Sequence, residues 1–262
     1  MKICVLVKEV PDAAVEKRID PNTGRLDRSG EKNLNPYDTH AIEAAMQIRE
    51  AGHPVEEIVA VTMGPESAVR TLHKAVSLGA DRSIHLCDDV LAGSDVAATG
   101  YALAQVLKRE QPDLVLLGQQ SDDGECYTIG AIVAEHLGMP SLTQVIKIDV
   151  EDGSLRCERQ AEYGYDTVSV KLPAVISVGD AINEPRYPSL KAIMGAKKKP
   201  LETLKAADVG IDPSKVGGDH SAAQWIAVKP PPQKPPGEII EDEDTNETVE
   251  KIIAWLEQRK LL

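Results

Sequence analysis

Leu114-Val115-Leu116-Leu117-Gly118 runs into Gln119-Gln120-Ser121-Asp122-Asp123-Gly124-Glu125-Cys126-Tyr127-Thr128. Ile129 to Leu137 then leads to Gly138-Met139-Pro140. Four unbroken aliphatic residues read as a strand buried on both faces. The polar, glycine-bearing loop follows, and a helix is predicted from Tyr127 to Leu137. The loop therefore leaves the carboxyl end of a buried strand, where open α/β sheets bind ligands.

The same unit repeats toward the N-terminus. Ile3–Val7, Ile58–Met63 and Ser83–Leu86 read as strands. Asp38–Glu50 reads as a helix with Ala41, Ile42, Ala45 and Ile48 inward, opened by Asn35-Pro36. Glu66–Leu78 and Asp95–Arg109 are two further helices, the first closed by Gly79-Ala80-Asp81. The alternation predicts an α/β fold: a doubly wound, mostly parallel, Rossmann-like sheet. Downstream, Val145–Val150 and Leu155–Glu162 flank Asp152-Gly153, a hairpin signal. With Thr167–Lys171 and Ala174–Val178 they are expected to extend the sheet with antiparallel partners. Residues 1–195 thus form one α/β nucleotide-binding domain, with a recognition loop at 183–195. Residues 196–262 are expected to form an extended arm, proline-rich at Pro230-Pro231-Pro232 and Pro235-Pro236. It ends in a helix, Glu247–Gln258, with Val249, Ile252, Ile253 and Leu256 on one face. So short a helix needs something to pack on.

The chain has 262 residues, a net charge of −13, 3% aromatic residues and no Phe. The core must be aliphatic. So acidic a surface argues against nucleic-acid binding and against anionic membranes. No apolar stretch approaches the roughly 20 residues of a membrane span, and the N-terminal apolar run is too short for a signal peptide. A cytoplasmic location is expected. The four cysteines form no CxxC pair and the six histidines no metal motif.

The Gly118–Thr128 loop is the leading candidate site. Glycines allow close backbone approach, the following helix N-terminus favours a phosphate, and Thr128 adds a hydroxyl. The carboxylates of Asp122 and Asp123 suit ribose hydroxyls better than phosphate. Met63-Gly64-Pro65 and Asn35-Pro36-Tyr37-Asp38 leave the same sheet edge. No GxGxxG follows the first strand, and neither a Walker A sequence nor a GxSxG elbow is present. No catalytic residue is expected. Asn183 to Met194 places Leu190, Ile193 and Met194 on one side of a helical turn, a candidate apolar anchor for partners.

Together these motifs resemble the beta subunit of electron-transfer flavoproteins over nearly the whole chain. The resemblance rests on Val7-Lys8-Glu9-Val10-Pro11-Asp12, Asn35 to Asp38, Met63 to Pro65, Ala75 to Asp81, the Gly118 loop and, most specifically, Asn183 to Pro200. It implies a heterodimer with an alpha subunit that carries FAD, the C-terminal arm wrapping that subunit. It implies an adenine nucleotide in this chain: AMP in most members, FAD in electron-bifurcating, NADH-oxidising ones. The implied contacts are Leu6, Asn35, Pro36, Tyr37, Asp38, Met63 and every residue from Gly118 through Gln119, Gln120, Ser121, Asp122, Asp123, Gly124, Glu125, Cys126, Tyr127 and Thr128 to Ile129. Asp123-Gly124 leans toward the FAD form, whereas Tyr127 matches neither form. Glu184, Pro185, Arg186, Tyr187, Leu190, Ile193 and Met194 are implied to dock acyl-CoA dehydrogenases or similar donors, with Leu190 as anchor. A membrane quinone oxidoreductase is an implied acceptor. A stand-alone nucleotide-binding, stress-type protein is the alternative on the same sheet, but it would need no arm.

Overall fold

The computed structural model describes the whole chain except residues 224, 225, 227, 230, 231, 233, 235, 238 and 240–243. The proline run expected at 230–236 falls in good part outside the described residues. The chain separates into two units, Met1–Val228 and Lys229–Leu262.

The first unit opens with β1 (Lys2–Leu6), β2 (Glu9–Pro11), β3 (Ile19–Asp20), β4 (Arg25–Leu26), β5 (Lys32–Leu34) and α1 (Pro36–Glu50). There follow β6 (Glu57–Met63), α2 (Val69–Leu78), β7 (Arg82–Leu86), α3 (Val96–Glu110), β8 (Leu114–Gly118) and α4 (Ile129–Leu137). It ends with β9 (Ser141–Glu151), β10 (Ser154–Ala161), β11 (Gly164–Lys171), β12 (Ala174–Val178), α5 (Leu190–Ala196) and β13 (Leu201–Leu204). Nine strands form one sheet in the order β11-β10-β9-β12-β8-β1-β6-β7-β13.

The doubly wound expectation holds. From β9 to β13 the neighbours are parallel. β10 and β11 add the antiparallel extension. β12 departs from expectation: it inserts between β8 and β9, parallel to both. Its sequence explains this, because Ala174-Val175-Ile176-Ser177-Val178 is buried throughout, as β8 is, and a strand buried on both faces belongs inside a sheet.

Alternation along the strands divides the core into two layers. Ile3, Val5, Ile58, Ala60, Leu114 and Leu116 pack beneath α1 and α2. Cys4, Val59, Val61, Val115 and Leu117 pack beneath α3 and α4. The compact unit also runs on past residue 195, where the sequence placed a boundary. β13 pairs with β7, and Leu204, Ala206, Ile211 and Val216 are buried. These apolar residues are spaced too widely to show a period, yet they close the sheet edge.

In the second unit α6 (Thr245–Gln258) is capped by Asp244, whose side chain accepts from the Asn246 N–H. Val249, Ile252, Ile253 and Trp255 are exposed on it. Among the described residues, no helix is long and apolar enough to cross a membrane.

Candidate functional site

The chain leaves β1 for β6 and β7 on one side, then returns to β8 on the other. The carboxyl ends of β1 and β8 are therefore the switch point, the place where strand order reverses and doubly wound sheets bind ligands. The segments that meet there are Leu6 to Lys8, the loop after Gly118 and the first turn of α1.

That first turn has an unusual use. Asn35 occupies the N-cap position, but its side chain makes no capping bond. Its Nδ2 instead donates to the Gln120 carbonyl at 2.8 Å, and its Oδ1 accepts from the Asp122 N–H at 3.0 Å. Asp38 is buried. Its two carboxylate oxygens accept the Lys8 N–H at 2.8 Å and the Gly118 N–H at 3.1 Å. Burial pushes the Asp38 carboxyl up to about 7, against the opposing pull of Asn35 and these two amides. α1 thereby stitches β1 to β8. Gly118 is required by this closeness: a Cβ there would lie 2.5 Å from Tyr37 Cβ and 2.7 Å from Asp38 Oδ1.

The loop itself is clasped from outside. Lys8 Nζ reaches Ser121 Oγ at 3.1 Å and Asp123 Oδ1 at 2.7 Å. Arg28 also pairs with Asp123, and Lys17 Nζ meets Asp122 Oδ2 at 2.7 Å. Burial raises the Asp123 carboxyl, but Lys8 and Arg28 outweigh it and hold the group below the usual carboxylate range. Lys17 and Arg28 flank the β3–β4 hairpin, and Arg25 from that hairpin lies against Gly93 and Gly218. Residues 12–31 therefore lie over this edge of the sheet.

The helix predicted from Tyr127 begins instead at Ile129. Glu125 and Tyr127 have φ of 47° and 55°, a left-handed backbone that cannot continue a right-handed helix. No side chain caps α4, which leaves its first N–H groups without a capping partner, as an anion site would require. Gly124, Glu125, Cys126, Tyr127 and Thr128 are exposed, Gln119 and Ile129 are half-buried, and Leu6 is buried. Met63 is half-buried at the end of β6, and Pro36 is exposed beside half-buried Tyr37.

Buried polar atoms without a partner mark where a ligand group would fit. Gln120 Oε1, Thr62 Oγ1 and Ser177 Oγ are such atoms. Thr62 and Ser177 are the penultimate residues of β6 and β12, so these three belong to the carboxyl edge; a fourth such atom, Arg49 Nε, lies in the last turn of α1. A cavity of about 470 Å³ lies at the opposite edge, lined by Lys2, Arg82, Arg109, Glu110 and Glu202 among others. Its cations are already matched: Lys2 and Arg82 with Glu110, and Arg109 with Glu202. We read it as a charge network closing the base of the sheet. Among the described residues, no cluster of His, Cys, Asp and Glu is built to hold a metal.

The second candidate region follows β12 and packs along α1, where Asn183 bonds to His40. Glu184 and Tyr187 are exposed, Pro185 and Arg186 are half-buried, and Leu190, Ile193 and Met194 on α5 are exposed. Arg186, expected to face partners, instead turns onto α1, where it pairs with Glu43 and Glu50.

Fold and switch point together define a doubly wound, Rossmann-like α/β protein whose edge is shaped around a loop and an uncapped helix. The electron transfer flavoprotein domain matches residues 23–209. The chain is 41% identical over 265 residues to the electron transfer flavoprotein subunit beta of Mycobacterium tuberculosis, covering 99% of each. It is 36% identical over 272 residues to that of Megasphaera elsdenii, covering all of both chains. It is also 36% identical over 264 residues to a caffeyl-CoA reductase-Etf complex subunit of Acetobacterium woodii, again over the full length. The chain belongs to the electron transfer flavoprotein family, among its beta subunits.

Lys8, Lys17 and Arg28 were missed as site residues. The signal was present: a loop with two adjacent carboxylates at a phosphate-type helix start requires cations nearby.

Proposed function

We propose that this chain is the nucleotide-holding, partner-docking subunit of an electron-transfer flavoprotein heterodimer. One observation carries the nucleotide reading. Asn35 and Asp38 are spent on fixing loop 118–122, while α4 is left uncapped and Gln120 Oε1 without a partner. An adenine nucleotide suits that edge: its phosphate meets the α4 N-terminus, and its hydroxyl or amino donors meet the buried acceptor. Leu6, Asn35 to Asp38, Met63 and Gly118 to Ile129 are the residues that would hold it. The nucleotide is AMP in a simple carrier and FAD in a bifurcating, NADH-oxidising one.

The redox chemistry is the flavin's; this chain binds, orients and docks. The terminal unit with its exposed apolar helix is the arm that lies on the alpha subunit. The exposed Leu190, Ile193 and Met194 dock an acyl-CoA dehydrogenase or similar donor, and electrons pass on to an acceptor such as a membrane quinone oxidoreductase. The setting is the cytoplasm.

Purified with its alpha partner and then denatured, the complex should release adenine nucleotide beyond the alpha-bound flavin. One FAD and one AMP identifies the AMP form. Two FAD and no AMP identifies the bifurcating form. A single FAD and nothing else would overturn the nucleotide reading, and a chain that binds no alpha subunit would overturn the whole.

A further inference from the structure

The apolar face formed by Tyr187, Leu190, Ile193 and Met194 is held by bonds that involve none of those side chains. Upstream, Asn183 and His40 exchange hydrogen bonds. Asn183 Nδ2 donates to the His40 carbonyl at 3.0 Å, and His40 Nδ1 lies 3.0 Å from the Asn183 carbonyl. In the middle, Arg186 grips two carboxylates two turns apart on α1. Its Nε and Nη2 donate to Glu43 at 2.7 and 2.9 Å. Its Nη1 and Nη2 donate to Glu50 at 2.6 and 2.9 Å. Its backbone N–H adds a bond to Glu43 Oε2 at 3.2 Å. The Glu43 side chain is only 7% exposed, so its charge needs this partner. Pro185 and Pro188 bracket the gripping residue and fix φ on either side. Downstream, Ser189 caps α5, Ala196 is buried, and Lys199 Nζ donates to the Ala80 carbonyl at 2.9 Å.

We infer that Arg186 is a positioning residue, which latches the 183–190 loop to α1 and so presents the Leu190 face in a preset conformation to a partner of the dehydrogenase type. A guanidinium can fork to both carboxylates at once; an ammonium is a point charge and cannot. Presetting removes ordering cost at docking, so the latch acts on affinity and not on the electron-transfer step. The inference rests on the docking reading proposed above.

The test uses the intact heterodimer, a purified acyl-CoA dehydrogenase reduced by its acyl-CoA, and amide hydrogen exchange. Arg186→Ala should speed exchange across residues 186–195 by about tenfold. It should raise the KM for the flavoprotein severalfold and leave kcat and bound nucleotide unchanged. Arg186→Lys should recover little of either. Glu43→Gln combined with Glu50→Gln leaves the loop sequence intact and should reproduce both effects. Unchanged exchange in Arg186→Ala overturns the latch. A raised KM with unchanged exchange makes Arg186 a direct contact and also overturns it. Faster exchange with an unchanged KM, while Leu190→Ala raises the KM, overturns the positioning role. If Leu190→Ala leaves the KM unchanged as well, the docking reading itself fails, and the inference falls with it by that separate route.

Discussion

The loop at 118–128 and the loop at 183–196 lean on the same helix and use it in opposite ways. The first is held by the N-terminal turn of α1, through side chains that accept and donate backbone hydrogen bonds. The second is held by the middle and last turns of α1, through carboxylates that grip an arginine. In the first the carboxylates sit on the loop and the cations arrive from elsewhere; in the second the cation sits on the loop. The first holds one buried acceptor without a partner, Gln120 Oε1, while the second turns apolar side chains outward. On the reading proposed above, one loop meets a small ligand and the other a protein surface. α1 gives both a common rigid reference.

The crevice loop should be the costlier to disturb, because its anchors are buried. The largest effect is expected for Gly118→Ala. The new methyl would meet the Tyr37 backbone carbon at 2.6 Å, which a side-chain rotation cannot relieve. We expect a loss of about 3 kcal/mol in urea unfolding, together with loss of bound nucleotide. A variant of normal stability would show that α1 and β8 can separate freely.

Asp38→Ala comes next. It leaves the Lys8 and Gly118 N–H groups without their acceptor and should cost about 2 kcal/mol. The cost should depend on pH in a defined direction. The folded carboxyl lies at about 7, above its ordinary 3.8, so folding takes up a proton between the two. The stability it contributes is full below the lower value and is lost as pH rises through the higher one. The unfolding free energy of the unmodified chain minus that of Asp38→Ala should therefore shrink between about pH 4 and pH 8. A constant difference would mean that Asp38 stays ionised throughout.

The contrast between the loops also marks what could be read from sequence. Strand and helix periods placed the sheet and its two layers, because Leu114 to Leu117 and Ile58 to Val61 have no exposed face to offer. The Gly118 loop is legible as a strand-to-helix loop at the carboxyl edge, whereas Asn35 and Asp38 read locally only as a helix start; their bonds to Gln120, Asp122 and Gly118 are tertiary. β13 was not, because Leu201-Glu202-Thr203-Leu204 carries a charge and only half its residues are apolar; its place comes from pairing with β7, a tertiary fact. Tyr127 was read as helical because nothing local forbids it, and its left-handed φ is imposed by the loop around it. The ion pairs of Arg186 are not legible, because its carboxylate partners lie 143 and 136 residues away. Sequence separation of that size hides an ion pair completely.

The docking loop should yield the smaller effect with the opposite pH sign. Hydrogen bonding to Arg186 holds the Glu43 carboxyl below its ordinary value, against burial and the neighbouring Glu50 charge. The folded group thus binds its proton less readily than the unfolded one. Its contribution is present above the ordinary carboxylate range and is lost as pH falls through the folded value. Glu43→Gln should cost about 1 kcal/mol near neutrality, the usual size of coupling within one ion-pair network. That difference should vanish on acidification, where the Asp38 difference is growing. Urea midpoints of both variants, followed against the unmodified chain over one pH series, should therefore give curves of opposite slope. Parallel curves would mean that the two loops are not tied to α1 by the two kinds of carboxylate described, one kept neutral by burial and the other kept charged by a forked arginine.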